Sequence, residues 1–241
     1  MRQGREALAS DAQVTCHLLD LGSLCELGDP RELADALEGR VMPRYLDRAC
    51  HARHPGMRAE SLGTGLILAG CMGLVRDGDL LDGPYGKPEP TSGDWHLGIS
   101  HTHQLVAVCS SPSVVGLDVA SASEDVDRLK VMTLRRGGQA LAPSLEDQPS
   151  RLTPEGFARL WTRLEATLKA EGTGFYADLR EHQDWFGHWR FRWGLELGHV
   201  VCAATAEGLP LELRVHEPEA LLGSVRTCAC PPVYPPETPM P

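Results

Sequence analysis

Lysine is nearly missing from this chain: of 23 cations in 241 residues, 20 are arginine and only Lys87, Lys130 and Lys169 are lysine. Each lysine therefore marks a position to test for a compact, titratable charge that arginine cannot supply. Positive charge as a whole is in deficit, with a formal net charge of -10, which disfavours generic nucleic-acid binding by bulk attraction. No apolar run is long enough for a membrane span or a signal-peptide core, and Arg2, Arg5, Glu6 and Asp11 interrupt the N-terminus. The expectation is a cytoplasmic protein with no membrane and no nucleic-acid partner. There are eight cysteines but no CxxC pair. Cys16, Cys109 and Cys202 each sit in an apolar strand-like run and read as buried reduced thiols. Cys228 and Cys230 form a CxC before a tail holding six of the 18 prolines in its last 11 residues; it reads as a floppy end, with a metal or redox role left open. GxSxG is also absent, which argues against Ser100 as an acyl-enzyme nucleophile.

What is present is ordinary globular composition, with 42% apolar and 23% charged residues, enough for one large domain or two modest ones. Alternation predicts a strand over Gln13 to Leu19, and strand-like runs separated by short turns predict others over Trp95 to Ser100, Gln104 to Ser110 and Ser113 to Val119, then Trp189 to Leu197, Gly198 to Thr205 and Leu211 to Val215. A short helix opens at Asp29-Pro30, a glycine-rich core helix runs from Arg58 to Val75, and a third begins at Thr153-Pro154. The stripe of that third helix is Phe157, Leu160, Trp161, Leu164 and Leu168, and Gly172 and Gly174 stop it. Both halves mix helix and strand without continuous βαβ alternation, so the expected class is α+β.

Several places carry polar groups suited to chemistry. Arg40, Arg44, Arg48, Arg53 and Arg58, with His51 and His54, form a basic island against Asp47, either a solvated face or an anion site. Asp77, Asp79 and Asp82 do not make a calcium loop, because Leu81 takes the third ligand position. Ser100-His101-Thr102-His103 lies between two strands, where a phosphate-binding turn is favoured over a metal shared by the two histidines. Asp118 ends the apolar run Val114-Val115-Gly116-Leu117, as a turn acid or as a ligand for Mg²⁺. Glu165 and Lys169 are four apart on one helix, as an exposed ion pair or as a carboxylate and an ammonium aimed at one ligand.

Taken in order, Gly86-Lys87-Pro88, Gly98-Ile99-Ser100-His101, Gly116-Leu117-Asp118-Val119 and Trp161-x-x-x-Glu165-Ala166-x-x-Lys169 resemble the 4'-phosphopantetheinyl transferases of the longer Sfp type. The likeness extends over Gly198 to Thr205 and Leu213 to Leu222, about residues 40 to 222 in all. It implies a pseudo-twofold pair of α+β subdomains, residues 1–113 and 114–225, with 226–241 as a proline-rich tail. It also implies coenzyme A in the cleft between them and Mg²⁺ on its pyrophosphate. The serine of an apo acyl or peptidyl carrier protein would attack the β-phosphate, releasing 3',5'-ADP. By position Asp118 and Glu165 would hold the metal, Glu165 would act on the serine proton, and Lys169 would neutralise or protonate the leaving phosphate. Lys87, Ser100 and His101 would grip the nucleotide phosphates, and Arg53 or Arg58 the 3'-phosphate. The sequence departs from the family pattern at Ala120, where a second acid is usual, at Leu164, where a lysine is usual, and around Leu134 to Ala142, where an acid often follows.

Overall fold

The computed structural model describes residues 12–123, 153–182 and 184–227. The polar stretch after Ser123, with Lys130 and the segment from Leu134 to Ala142, lies outside them, as do Cys228, Cys230 and the proline-rich tail.

The fold is mixed α+β, built on two main sheets. The first contains β1 (Val14–Asp20), β4 (His96–His101), β5 (Leu105–Ser111) and β9 (Leu211–His216), in the order β4-β5-β1-β9. The second contains β6 (Val115–Ser121), β7 (Arg190–Glu196) and β8 (His199–Thr205), in the order β6-β8-β7. A short ribbon pairs β2 (Leu80–Asp82) with β3 (Pro88–Pro90) inside the predicted loop. The helices are α1 (Leu21–Glu26), α2 (Pro30–Asp35), α3 (Pro43–His51), α4 (Pro55–Met72), α5 (Pro154–Glu171), α6 (Trp185–His188) and α7 (Pro218–Thr227).

Alternation along the strands sorts their side chains into layers. Val14, Cys16 and Leu18 of β1 meet Leu117 and Val119 of β6 and Val201 and Ala203 of β8 in a fully apolar core between the sheets. The intervening positions of the first sheet, Leu19, Leu97, Val106 and Val108, face Leu62, Leu66 and Ile67 of α4. On the far side of the second sheet, Cys202 and Ala204 pack on Ala166 and Ala170 of α5. The order is helix, sheet, sheet, helix. Burial pushes the Cys16 and Cys202 thiols up and the Cys109 thiol up to about 12, so these three behave as inert core residues, in keeping with the sequence expectation.

The two long helices begin and end by the same means. Pro55 and Pro154 occupy the first turn behind side-chain caps from His54 and Thr153, and Gly73 and Gly172 take the left-handed conformation that closes each helix. The connectivity also recurs: β1, α4, β4, β5 gives the order β4-β5-β1, and β6, α5, β7, β8 gives β7-β8-β6, with all these pairings antiparallel. The segment after β8, grouped by sequence with the C-terminal half, returns to the first sheet. There β9 pairs in parallel with β1, and Leu221, Ser224 and Val225 of α7 close over Gly70 of α4. Among the described residues no helix is long and apolar enough to cross a membrane.

The β7-β8 hairpin turns through Leu197 and Gly198, both at positive φ (48° and 72°). A two-residue turn of this hand suits glycine or asparagine, and a leucine there is strained. Leu197→Asn is expected to stabilise the protein by roughly 0.5–1 kcal/mol, read from the midpoint of urea unfolding; an unchanged or lower midpoint would show that the exposed leucine has a compensating contact.

Candidate functional site

The site forms where the sheets meet edge to edge. Residue 98 must be small because a Cβ there would stand 2.8 Å from both Cys109 Sγ and Leu117 Cβ, so Gly98 lets β4 press against β6. Residue 116 is more constrained still. A Cβ at Gly116 would overlap the Ala166 carbonyl oxygen and lie 2.6 Å from the Ala170 nitrogen, so α5 rests directly on the β6 backbone. Those two contacts bring the ends of β4, β6 and α5 together.

Asp118 lies at their centre with its side chain 4% exposed. Its Oδ1 accepts a hydrogen bond from Ser100 Oγ at 2.8 Å and one from Lys169 Nζ at 2.6 Å. Ser100 Oγ in turn accepts from Lys169 Nζ at 2.9 Å and from the Val119 amide at 3.3 Å. Glu165 Oε2 is 3.7 Å from Lys169 Nζ, one helical turn away. The second carboxylate oxygen, Asp118 Oδ2, is buried and has no hydrogen-bond partner. A buried, unpartnered carboxylate oxygen costs stability unless it serves a ligand. Burial works against the charged form of Lys169, but Asp118 and Glu165 outweigh it and raise the Lys169 pKa above the ordinary lysine range. Lys169 is therefore a fixed ammonium at neutral pH.

This cluster lines a cleft of about 690 Å³ bounded by Met57 and Glu60 of α4, the end of β4, Ala120 and Ser121 of β6, and Trp161 of α5. A second cavity, of about 770 Å³, adjoins it through Met57, Glu60, Ile99 and His101 and is lined by Arg44 and Arg48 of α3 and by Gly86 and Pro88. The combined groove has an acid and lysine end and a far end where Arg44 and Arg48 lie beside Asp77 and Asp82.

The structure brings Ser100, His101, Asp118, Glu165 and Lys169 to this groove. Lys87 is set behind the β4-β6 junction, donating to the Val115 carbonyl and paired with Glu89, both at 3.2 Å; with Lys169 it lines a smaller cavity of about 210 Å³. Arg53 and Arg58 do not line either cavity, and Arg58 donates to the Ala52 carbonyl at the α3-α4 junction. The guanidinium groups that do face the groove are Arg44 and Arg48. Arg44 is held by Asp77 and Asp82, and Asp79 accepts the Val75 and Arg76 amides, which accounts for the three acids that did not fit a calcium loop.

Sequence reasoning missed Glu60. Its two oxygens lie 3.3 Å from His101 Nδ1 and 3.3 Å from His103 Nδ1, so the histidine pair is tied to α4. The signal was available, because Glu60 is the one carboxylate on an 18-residue, otherwise largely apolar helix. Burial, more than the nearby Lys169 charge, lowers the His101 pKa against the pull of Glu60, which favours the neutral ring.

Two of the three departures in sequence, Ala120 and Leu164, lie among the described residues. Ala120 lines the acid end of the cleft two residues from Asp118, where it supplies no ligand. Leu164 is fully buried among Phe157, Leu168, Leu179 and Phe186. Its burial is worth roughly 2 kcal/mol, which a lysine at that position would forfeit. No protein-family model matches the chain, and no curated protein matches it.

Proposed function

We propose that the protein is a Mg²⁺-dependent 4'-phosphopantetheinyl transferase that moves the phosphopantetheine group of coenzyme A onto a serine of an acyl or peptidyl carrier protein. The observation that carries this reading is the meeting of Asp118, Glu165, Lys169 and Ser100 in one groove, with Asp118 Oδ2 buried and unpartnered. The repeated order of strands and helices supports a pseudo-twofold relation between the halves, with the groove between them.

Asp118 and Glu165 suit a hard divalent ion, which accepts carboxylate oxygens and completes its shell with substrate phosphate and water. Bound there, Mg²⁺ would neutralise the pyrophosphate and polarise the phosphorus under attack. The chain's own residues do the rest. Arg48, beside an Arg44 already paired with Asp77 and Asp82, offers a guanidinium to the nucleotide end, and Lys169 offsets charge on the departing phosphate. Glu165 accepts the proton as the carrier serine oxygen bonds to the β-phosphorus. The bond from that phosphorus to the bridging oxygen breaks, and 3',5'-ADP leaves with the electron pair. Such a reaction depends mainly on positioning and on charge neutralisation, which this cluster provides.

The test is to incubate the full chain with coenzyme A, Mg²⁺ and a panel of apo carrier proteins and to weigh the carriers by mass spectrometry. One carrier is expected to gain a phosphopantetheine; no gain with any of them, while coenzyme A binds, would overturn the reading.

A second reading is a non-catalytic relative that binds coenzyme A or a carrier domain. It draws on Lys169, which sits 2.6 Å from Asp118 Oδ1 beside the place a cation would take, and on the neutral Ala120. It expects calorimetric coenzyme A binding that is the same with and without Mg²⁺, whereas the transferase reading expects tighter binding with the metal.

A further inference from the structure

Outside the groove, on the α4 side of the first sheet, three side chains from three elements converge. His17 of β1 and His216 of β9 meet edge to edge, with ring centroids 5.0 Å apart, planes 22° apart and His17 Nδ1 2.8 Å from His216 Nε2. Cys71, in the last turn of α4, places its Sγ 3.7 Å from the same His216 Nε2. All three ligand atoms lie within 4.8 Å of one another, and among the described residues this is the group of three or more such side chains that converges so closely.

We propose that His17, Cys71 and His216 form a structural site for a thiophilic divalent transition ion of the zinc class, separate from the groove and with its fourth position open to water. Two imidazoles and a thiolate are the donors such ions prefer, and Mg²⁺ or Ca²⁺ would be disfavoured by the same set. The spacing fits. Bonds of about 2.1 Å to nitrogen and 2.3 Å to sulfur on a tetrahedron require ligand separations of about 3.3–3.6 Å. The distance from Cys71 Sγ to His216 Nε2, 3.7 Å, is already close to that, and the two ring nitrogens, which face each other at 2.8 Å, need to part by about half an ångström as the rings turn towards a common point. His17 is 8% exposed and anchored in the sheet, whereas Cys71 and His216 are only partly buried, so the site has a fixed floor and an entry side. Arg214, the nearby cation on β9, is turned to Glu212 at 2.7 Å.

Coordination exchanges protons simply. The thiol proton passes to solvent as sulfur bonds the ion, and the hydrogen shared between the rings moves to the other nitrogen of its own imidazole. No electrons are transferred. The ion would join the first strand, the end of the central helix and the returning strand β9, which are 54 and 145 residues apart in sequence. Cross-links over such distances restrict the unfolded chain most.

The experiment uses the full-length chain carrying Cys228→Ser and Cys230→Ser, so that the CxC does not compete, titrated with Co²⁺ and observed by absorption. One equivalent is expected, with tetrahedral d-d bands and thiolate-to-cobalt charge transfer, and Zn²⁺ is expected to displace it and raise the melting temperature. Cys71→Ser should abolish the charge-transfer band, and His216→Gln should weaken binding by more than the ~10–100-fold that loss of an outer-shell partner costs. Absence of the band in the parent protein, or its persistence in Cys71→Ser, would overturn the proposal, since a hydrogen-bonded histidine pair with a neighbouring thiol would then be all that is there.

Discussion

Asp118→Asn is expected to lower Mg²⁺-dependent transfer to the best carrier by roughly a thousandfold or more, the factor that follows from losing several kcal/mol of charge stabilisation at the reacting phosphate. Asparagine keeps the shape of Asp118 and its hydrogen bond from Ser100, so the change is one of charge. It removes a metal oxygen and leaves Lys169 with Glu165 as its remaining acidic neighbour. Because Lys169 is about a third exposed, water compensates part of the broken pair, and the stability loss should stay near 1–3 kcal/mol. Turnover by mass spectrometry and urea unfolding separate the two effects. Activity within tenfold of the parent would remove Asp118 from the metal site, and equal losses at all Mg²⁺ concentrations with a normal fold would favour an orienting role through Lys169.

Gly116→Val is expected to be the most damaging substitution outside the groove. The new side chain would meet the backbone of α5 at Ala166 and Ala170, which cannot swing aside as a flexible side chain can. Overpacking of this kind costs roughly 2–4 kcal/mol, and Gly116→Ala should fall lower on the same scale. Displacing α5 would also carry Glu165 and Lys169 away from Asp118, and a shift of about 1 Å at a reacting centre costs on the order of a hundredfold in rate. Gly78→Ala, where a Cβ meets nothing within 4 Å and φ is not positive, is the control, with an effect within about 0.5 kcal/mol. A Gly116→Val protein as stable as the parent would mean that helix and strand are not in direct contact.

The elements that the chain declares locally are those governed by interactions within four residues. Thr153 and Pro154 start α5, Phe157, Leu164 and Leu168 mark its buried stripe, and Gly172 ends it as expected. The seven longer strands fall within about two residues of their predicted runs, because alternation and short apolar runs bounded by turns are local patterns. The β2-β3 ribbon was read as loop, since three-residue strands containing Pro88 and Pro90 carry no such alternation. In the groove, Asp118, Glu165 and Lys169 were legible by spacing, and Glu60 was not, because its role depends on histidines 41 and 43 residues away. The basic island read as a solvated face or an anion site, without saying which arginine faces the groove. Helix α3 turns Arg44 and Arg48 to the groove, while Arg53 and Arg58 sit at the α3-α4 corner.

Sequence by itself thus determined the α+β class, the starts of α2 and α5 and the end of α5, the three inert core thiols and the residue types from which a phosphate site could be made. Tertiary structure decided which of them meet. Lys169 reaches Asp118 across 51 residues because two glycines, Gly98 and Gly116, let a strand and a helix approach β6 more closely than any side chain would allow. Parallel pairing of β9 with β1 decided, in the same way, that His216 would lie against His17 and Cys71. Such contacts are settled by how whole elements pack, a free energy shared over many side chains, and no local pattern records it.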